Sequence, residues 1–219
     1  MDLGGQPMLA RVVERARRAE TLDEILVATT DLPADDAVAQ FCAARGWPVF
    51  RGSPTDLLDR YYQAAKSRGA EIVVRVTCDC PLIEPEILDA VVRLREARGA
   101  DYAANGWSKP SFPRGLSAEA FTFSALERAW KEDENPAWRE HATPYLYKHP
   151  ELFKLADLVD ETDRSGMRWT VDTPEDLAFV RRIYEAFGRD DFSWKNVLAL
   201  LEKHPEWLEI NRHVAQKEL

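Results

Sequence analysis

No apolar run in the 219 residues approaches the roughly 18 to 20 needed to cross a bilayer as a helix. The opening stretch, MDLGGQPMLARVVERARR, has no basic region followed by an apolar core. The sequence therefore predicts neither a helical membrane span nor a secretory leader, and it reads as cytoplasmic. Cysteine is scarce: Cys42, Cys78 and Cys80 are too few and too oddly numbered to staple a fold, which fits a reducing compartment. Positive charge is also in deficit. With 29 Lys and Arg against 38 Asp and Glu, the formal net charge is −9, and a nucleic-acid partner, which needs a basic face, is disfavoured. A small nucleotide held by a few local donors and a metal ion stays compatible with that charge. No internal repeat and no low-complexity segment is visible. What is present is ordinary for a globular chain: 45% hydrophobic and 31% charged residues, which sets aside disordered and fibrous classes. The length predicts a single domain over residues 1–219 with a substantial core.

The apolar pattern alternates between helical and extended spacing. Residues 7–19 place Leu9, Val12, Val13 and Ala16 at helical intervals, and residues 23–30, DEILVATT, follow as a short buried strand. A helix over 34–46, a strand over 48–52, a helix over 54–69, a strand over 70–77 and a helix over 84–99 continue the rhythm, with Gly46, Gly69 and Gly99 as helix stops. Strands apolar on both faces and separated by helices predict an α/β fold, a mostly parallel Rossmann-like sheet with helices on both faces. Beyond Asp101 the pattern loosens into short antiparallel strands and loops. It then predicts helices near 123–131 and 138–148, strands at KLADLV and MRWTVD, and helices near 174–187 and 193–203.

In open parallel sheets ligands gather outside the carboxyl ends of the strands. Asp79 in RVTCDCPLIEPEI and Asp172 in RWTVDTPEDL are both predicted at such ends. A carboxylate pair of that kind suits Mg²⁺, which takes one or two protein carboxylates and fills its other positions with substrate phosphate and water. Taken singly, each acid reads better as a turn or cap residue: Asp79 stands before Pro81, and Asp172 shares its helix start with Glu175 and Asp176, the latter read as an exposed acid. Cys78 and Cys80 have no second cysteine pair or His pair to complete a zinc site. If strand geometry continues past residue 77, both thiols project away from Asp79 and into the core.

Five segments in order, RGSPTDLLDRYYQAAK, RVTCDCPLIEPEILD, FPRGLSAEAF, REHATPYLY and RWTVDTPEDL, carry a resemblance to the bacterial cytidylyltransferases of the spore coat polysaccharide biosynthesis type. These are relatives of CMP-sialic acid synthetase and 3-deoxy-manno-octulosonate cytidylyltransferase. The resemblance spans residues 4–211. It implies a nucleotide-diphospho-sugar transferase fold and a nucleotidyltransferase reaction in which a sugar or sugar-acid hydroxyl attacks the α-phosphate of CTP and releases pyrophosphate, for surface polysaccharide. By motif match, Asp79 and Asp172 are its catalytic and Mg²⁺-holding residues. The same match implies nucleotide contacts at Arg51, Ser53, Asp59 and Arg60, and an acceptor-sugar pocket at Asn105, Arg114, Glu119, Glu140, His141 and Arg168. Relatives of this type are often homodimers. The family usually opens with a strand and a loop like IIQARMGSTRLPGK, which cradles the triphosphate. That element is not among these residues, so the chain reads as N-terminally truncated relative to the family, with a start codon assigned too late. Two other classes stay open: a glycosyltransferase of related fold that consumes a nucleotide sugar, and a non-catalytic homologue.

Overall fold

A computed structural model describes residues 1–215. The chain enters through a small hairpin, β1 (Asp2–Leu3) against β2 (Gln6–Pro7), and Gly4 and Gly5 both take the positive φ that a two-residue hairpin turn of this hand requires. Then follow α1 (Met8–Ala16), β3 (Val27–Thr30), α2 (Asp36–Ala44), β4 (Val49–Gly52), α3 (Leu57–Arg68), β5 (Ile72–Arg75), α4 (Pro85–Arg98) and β6 (Tyr102–Ala104). The second half holds β7 (Glu119–Thr122), α5 (Phe123–Glu132), α6 (Pro136–Arg139), α7 (Pro144–Lys148), β8 (Leu155–Asp157), α8 (Pro174–Phe187) and α9 (Trp194–Lys203). No described helix is long and apolar enough to cross a membrane.

β3 and β4 form a parallel pair, Val27 opposite Val49 and Thr30 opposite Gly52. A second sheet has the order β5-β7-β6-β8, in which β7 runs antiparallel to β5 and β6, and β8 runs parallel to β6. Thus β5, β6 and β8 share one direction and β7 reverses it. The mixed α/β architecture agrees with the sequence reading. Among the described residues no ladder joins β3 to β5, so one edge of each lacks a strand partner. Every residue of β3, β4 and β5 is only half-buried, whereas β6 is fully buried.

The main core lies where small strand residues let helices approach closely. Ala103, Ala118 and Ala120, all at 0% exposure, pack in one cluster with Ile87, Leu88 and Val91 of α4 and Phe179, Val180 and Ile183 of α8. A second core, under α3 and α5, is aromatic: Tyr62 stacks on Trp130 at 4.1 Å and on Phe123 at 5.6 Å between ring centroids. Arg15 is buried between α1 and the chain around 190. Its guanidinium donates to the carbonyls of Ile83 at 2.8 Å, Asp190 at 2.7 Å and Phe192 at 3.1 Å, so the buried charge is matched by acceptors rather than left bare.

Three sequence expectations change. The helix expected over 138–148 is two short helices, because Ala142 takes φ 66° in the left-handed region and Pro144 starts the next helix at its first position. MRWTVD is not a strand: it joins its neighbour through one parallel bridge, Arg114 to Arg168. Gly115, at φ 100°, allows that approach, since a Cβ there would stand 2.6 Å from the Trp169 carbonyl carbon. Finally, β5 ends at Arg75, so Asp79 lies in a turn beyond the strand rather than on its last residue.

Candidate active site

The turn carrying Asp79 is closed by backbone hydrogen bonds from Cys80 N to Thr77 O at 3.2 Å and from Ile83 N to Cys80 O at 3.1 Å. The chain at 170–171 docks on it. Val171 N–H donates to the Asp79 carbonyl at 2.8 Å, and Thr170 Oγ1 donates to Asp79 Oδ2 at 2.8 Å. Asp172 is the next residue, so the two predicted carboxylates sit on adjoining segments although 93 positions separate them in sequence, counting from 79 to 172. The Asp172 side chain is 50% exposed and accepts from Arg168 Nη2 at 2.6 Å. Asp79 thus has one carboxylate oxygen engaged by the Thr170 hydroxyl, and Asp172 presents half of its side chain to solvent.

Asp176 holds this arrangement in place. It is 0% exposed, contrary to the exposed helix-start acid expected from sequence. It closes a capping box with Thr173 at the start of α8 and also accepts from the backbone N–H groups of Asp172 at 3.1 Å and Thr173 at 3.0 Å. Arg168 Nε and Nη2 each reach it at 2.9 Å, and Asn211 Nδ2 adds a further bond at 2.9 Å. Burial alone would raise its pKa, but these donors outweigh burial and hold the carboxyl at about 2. The TPED capping pattern is visible in sequence; no local rule ties to it the arginine eight residues upstream or the asparagine near the C-terminus.

The cysteines divide. Cys80 is buried and its Sγ lies 3.2 Å from Thr77 Oγ1, while Cys78 is exposed instead of packing in the core. The side-chain alternation that would send both inward stops with β5. Burial, with Asp79 adding to it, pushes the Cys80 thiol up to about 12, which favours the protonated thiol at neutral pH. Cys80→Ser is expected to cost about 1 to 2 kcal/mol in urea denaturation for burying a hydroxyl, with turnover retained; a loss of turnover at unchanged stability would assign the thiol a role in the chemistry.

The segment matched to nucleotide contacts lies around the start of α3. Arg60 Nη1 donates to the Ser53 carbonyl at 2.9 Å, and its Nε is buried without a partner. Ser53 Oγ accepts from Asp56 N at 3.0 Å. Arg51 is turned to the end of β3, donating to Thr30 O at 3.0 Å and Leu32 O at 2.8 Å and pairing with Asp36 at 2.7 Å. Asp59 faces α5, accepting from Trp130 Nε1 at 2.8 Å. Ser53 and Arg60 are thus together; Arg51 and Asp59 each point to a different neighbour.

Asn105 and Glu119 line a cavity of about 230 Å³ with Tyr102, Trp107, Ser117 and Tyr147. Asn105 is fixed by Leu116 O and Ala118 N, both at 2.8 Å. Glu119 accepts from Arg75 Nη1 at 2.9 Å, Tyr102 Oη at 3.1 Å and Thr143 Oγ1 at 3.1 Å. Sequence reasoning misses Arg75 and Tyr102, because only the cross-strand register, Arg75 opposite Glu119, puts them there. Glu140 is exposed and His141 half-buried at the end of α6, beside Thr143 and outside this cavity's lining. Arg114 and Arg168 line a different cavity.

Residues 1–203 match the family model described as cytidylyltransferase. The chain belongs to the cytidylyltransferase family. The structure of a cytidylyltransferase from Leptospira borgpetersenii superposes with a TM-score of 0.91 at 31% identity, covering 100% of this chain and 91% of that one. Among curated proteins, the uncharacterized protein MJ1063 of Methanocaldococcus jannaschii is 37% identical over 99% of this cytidylyltransferase chain and 88% of its own length. The spore coat polysaccharide biosynthesis protein SpsF of Bacillus subtilis is 29% identical over 93% of this chain and 87% of its own. The nucleotide-diphospho-sugar transferase fold implied by the motifs is that of the structural neighbours.

Proposed function

We propose that this cytidylyltransferase transfers CMP from CTP to a hydroxyl of a sugar or sugar acid destined for surface polysaccharide, with Mg²⁺ held by Asp79 and Asp172. The reading is carried by the docking of 170–171 onto Asp79, which brings two hard oxygen donors onto adjoining segments, the second of them half open to solvent. That donor set fits Mg²⁺ completed by phosphate and water; no cluster of three or more acidic, His or Cys ligands exists among the described residues. When bound, the ion would neutralise triphosphate charge and polarise the α-phosphate.

The reaction forms a bond from the acceptor oxygen to the α-phosphorus, breaks the bond to the β-phosphate bridging oxygen, and releases pyrophosphate and the acceptor proton. The cavity of Tyr102, Trp107, Asn105 and Glu119 supplies what a sugar ring needs: aromatic faces and fixed polar groups. Glu119 is already engaged by Arg75, Tyr102 and Thr143, so its part is to hold the cavity wall and to accept from ring hydroxyls. In the segment at α3, Ser53 and Arg60 are the residues assigned to nucleotide; the unpartnered Arg60 Nε supports that assignment.

The test is pyrophosphate release from CTP and MgCl₂ with a panel of acceptors that includes 3-deoxy-manno-octulosonate and neutral sugars. Release that depends on acceptor and prefers CTP over UTP, ATP and GTP is expected. Consumption of a nucleotide sugar with no pyrophosphate would overturn the reading in favour of glycosyl transfer.

A further inference from the structure

Asp172 keeps half of its side chain in solvent, so its place is set chiefly by the backbone that carries it. That backbone, residues 168–176, is tied at both ends by one amide. Asn211 Nδ2 donates to the Arg168 carbonyl at 2.9 Å and to Asp176 Oδ1 at 2.9 Å, and Asp172 lies midway between those two residues in sequence. A primary amide carries two N–H donors on one nitrogen, so a single group satisfies both acceptors at once. Turned the other way, its oxygen would face a carbonyl and a carboxylate, so the network fixes which end of the amide points at the segment. Asn211 is only 3% exposed, and away from water both bonds are stronger and the cost of leaving either unmade is higher.

The stretch that delivers Asn211 is itself held. A 3₁₀ turn over Pro205–Glu209 follows α9, Trp207, Leu208 and Ile210 pack on the main core, and Val214 N–H closes a turn on the Asn211 carbonyl at 3.0 Å. All of these residues stand beyond residue 203, where the match to the cytidylyltransferase family model stops. Covering the core would call for an apolar side chain at 211; a buried amide is warranted by the two acceptors it serves. We infer that Asn211 is a positioning residue for the candidate active site, a clamp on 168–176 that keeps Asp172 on the segment docked against Asp79. Asn211 makes no hydrogen bond to Asp172. It acts through Asp176, which accepts from the Asp172 backbone N–H at 3.1 Å, and through Arg168, whose Nη2 donates to Asp172 Oδ2 at 2.6 Å. The clamp stands on these bonds alone, whereas its consequence for Mg²⁺ rests on the function proposed above.

The experiment compares wild type, Asn211→Ala and Ser193→Ala, each as the full chain. Ser193 caps α9, so its loss loosens the same C-terminal region while leaving the Asn211 amide in place. The first measurement is amide hydrogen exchange without metal or nucleotide, read at Val171, Asp172 and Thr173, whose N–H groups are all hydrogen-bonded. Exchange there is expected to quicken about tenfold or more in Asn211→Ala, the scale of losing one or two buried hydrogen bonds, and to keep its wild-type rate in Ser193→Ala. The second measurement is Mn²⁺ binding in the presence of CTP, followed by water-proton relaxation. Affinity is expected to fall about tenfold or more in Asn211→Ala, as for loss of the outer partner of a metal ligand, and to stay unchanged in Ser193→Ala. Equal exchange in wild type and Asn211→Ala would overturn the clamp, and so would equal acceleration in both variants, since Asn211 would then act only through stability. Faster exchange with unchanged Mn²⁺ affinity would overturn the positioning role. A wild-type protein that holds no Mn²⁺ would sink the two-carboxylate reading of Asp79 and Asp172 instead, and the exchange rates would still decide the clamp.

Discussion

Asp79→Asn and Asp172→Asn are each expected to lower turnover by roughly a thousandfold or more in the native protein, the scale of losing electrostatic stabilisation aimed at the transition state. The fold should survive both changes. In Asp79→Asn the new amide keeps an oxygen for the Thr170 hydroxyl, and the docking of Val171 on the residue-79 carbonyl uses only backbone. The Asp172→Asn change removes an ion pair to Arg168, but the Asp172 side chain is 50% exposed, and such pairs contribute at most about 1 kcal/mol. Melting temperatures within a few degrees of wild type, with activity gone and the Mg²⁺ dependence of any residual rate shifted to higher concentration, would fit a two-carboxylate metal site. Near-normal, Mg²⁺-dependent turnover in Asp172→Asn would sink it, leaving Asp172 as a residue that merely starts α8.

The parts of this arrangement that can be read from sequence are those with a local signature. Helical spacing of Leu9, Val12, Val13 and Ala16, and the glycines that close α3 and α4, mark elements whose periodicity is written in neighbouring residues. Asp79 and Asp172 stand out through ordered motifs, and the docking of 170–171 on the 77–80 turn gives that match a geometric content. The misreadings share a cause. Cys78, the MRWTVD segment and the end of β5 all come from extending strand alternation past the point where hydrogen-bonded pairing stops, and only tertiary pairing fixes that point. The Arg75–Glu119–Tyr102 cluster depends on an antiparallel register between strands 44 positions apart, which no window of local sequence encodes. That β3 and β5 each have one edge without a strand partner among the described residues is likewise a property of the assembled sheets, since each strand alone reads as an interior one.

Asp176→Asn is expected to be the more damaging change to stability, lowering the unfolding free energy by about 3 to 5 kcal/mol at pH 7, the cost of removing one partner from a buried, hydrogen-bonded ion pair. The amide cannot serve two guanidinium donors, two backbone N–H groups and Asn211 at once, and its own N–H₂ would face donors. The neighbouring Glu175→Gln, exposed on the same helix turn, should stay within about 0.5 kcal/mol and serves as control. The carboxylate also sets a pH dependence. Its folded pKa of about 2 lies below the ordinary value of 3.8, so the unfolded chain takes up the proton first as pH falls. The stabilisation is therefore fully present above about pH 4 to 5 and is lost as pH drops toward 2, in total about 2.5 kcal/mol for a shift of nearly two units. Urea denaturation followed between pH 6 and pH 2 should show this loss in wild type and a correspondingly shallower slope in Asp176→Asn. Because Asp176 accepts from the Asp172 backbone, the variant should also weaken Mg²⁺ dependence of activity through misplacement of Asp172 rather than through any contact with substrate. An Asp176→Asn protein with the urea midpoint of wild type at pH 7 would show that the cluster of Arg168, Asp176 and Asn211 does not hold α8 and Asp172 in place.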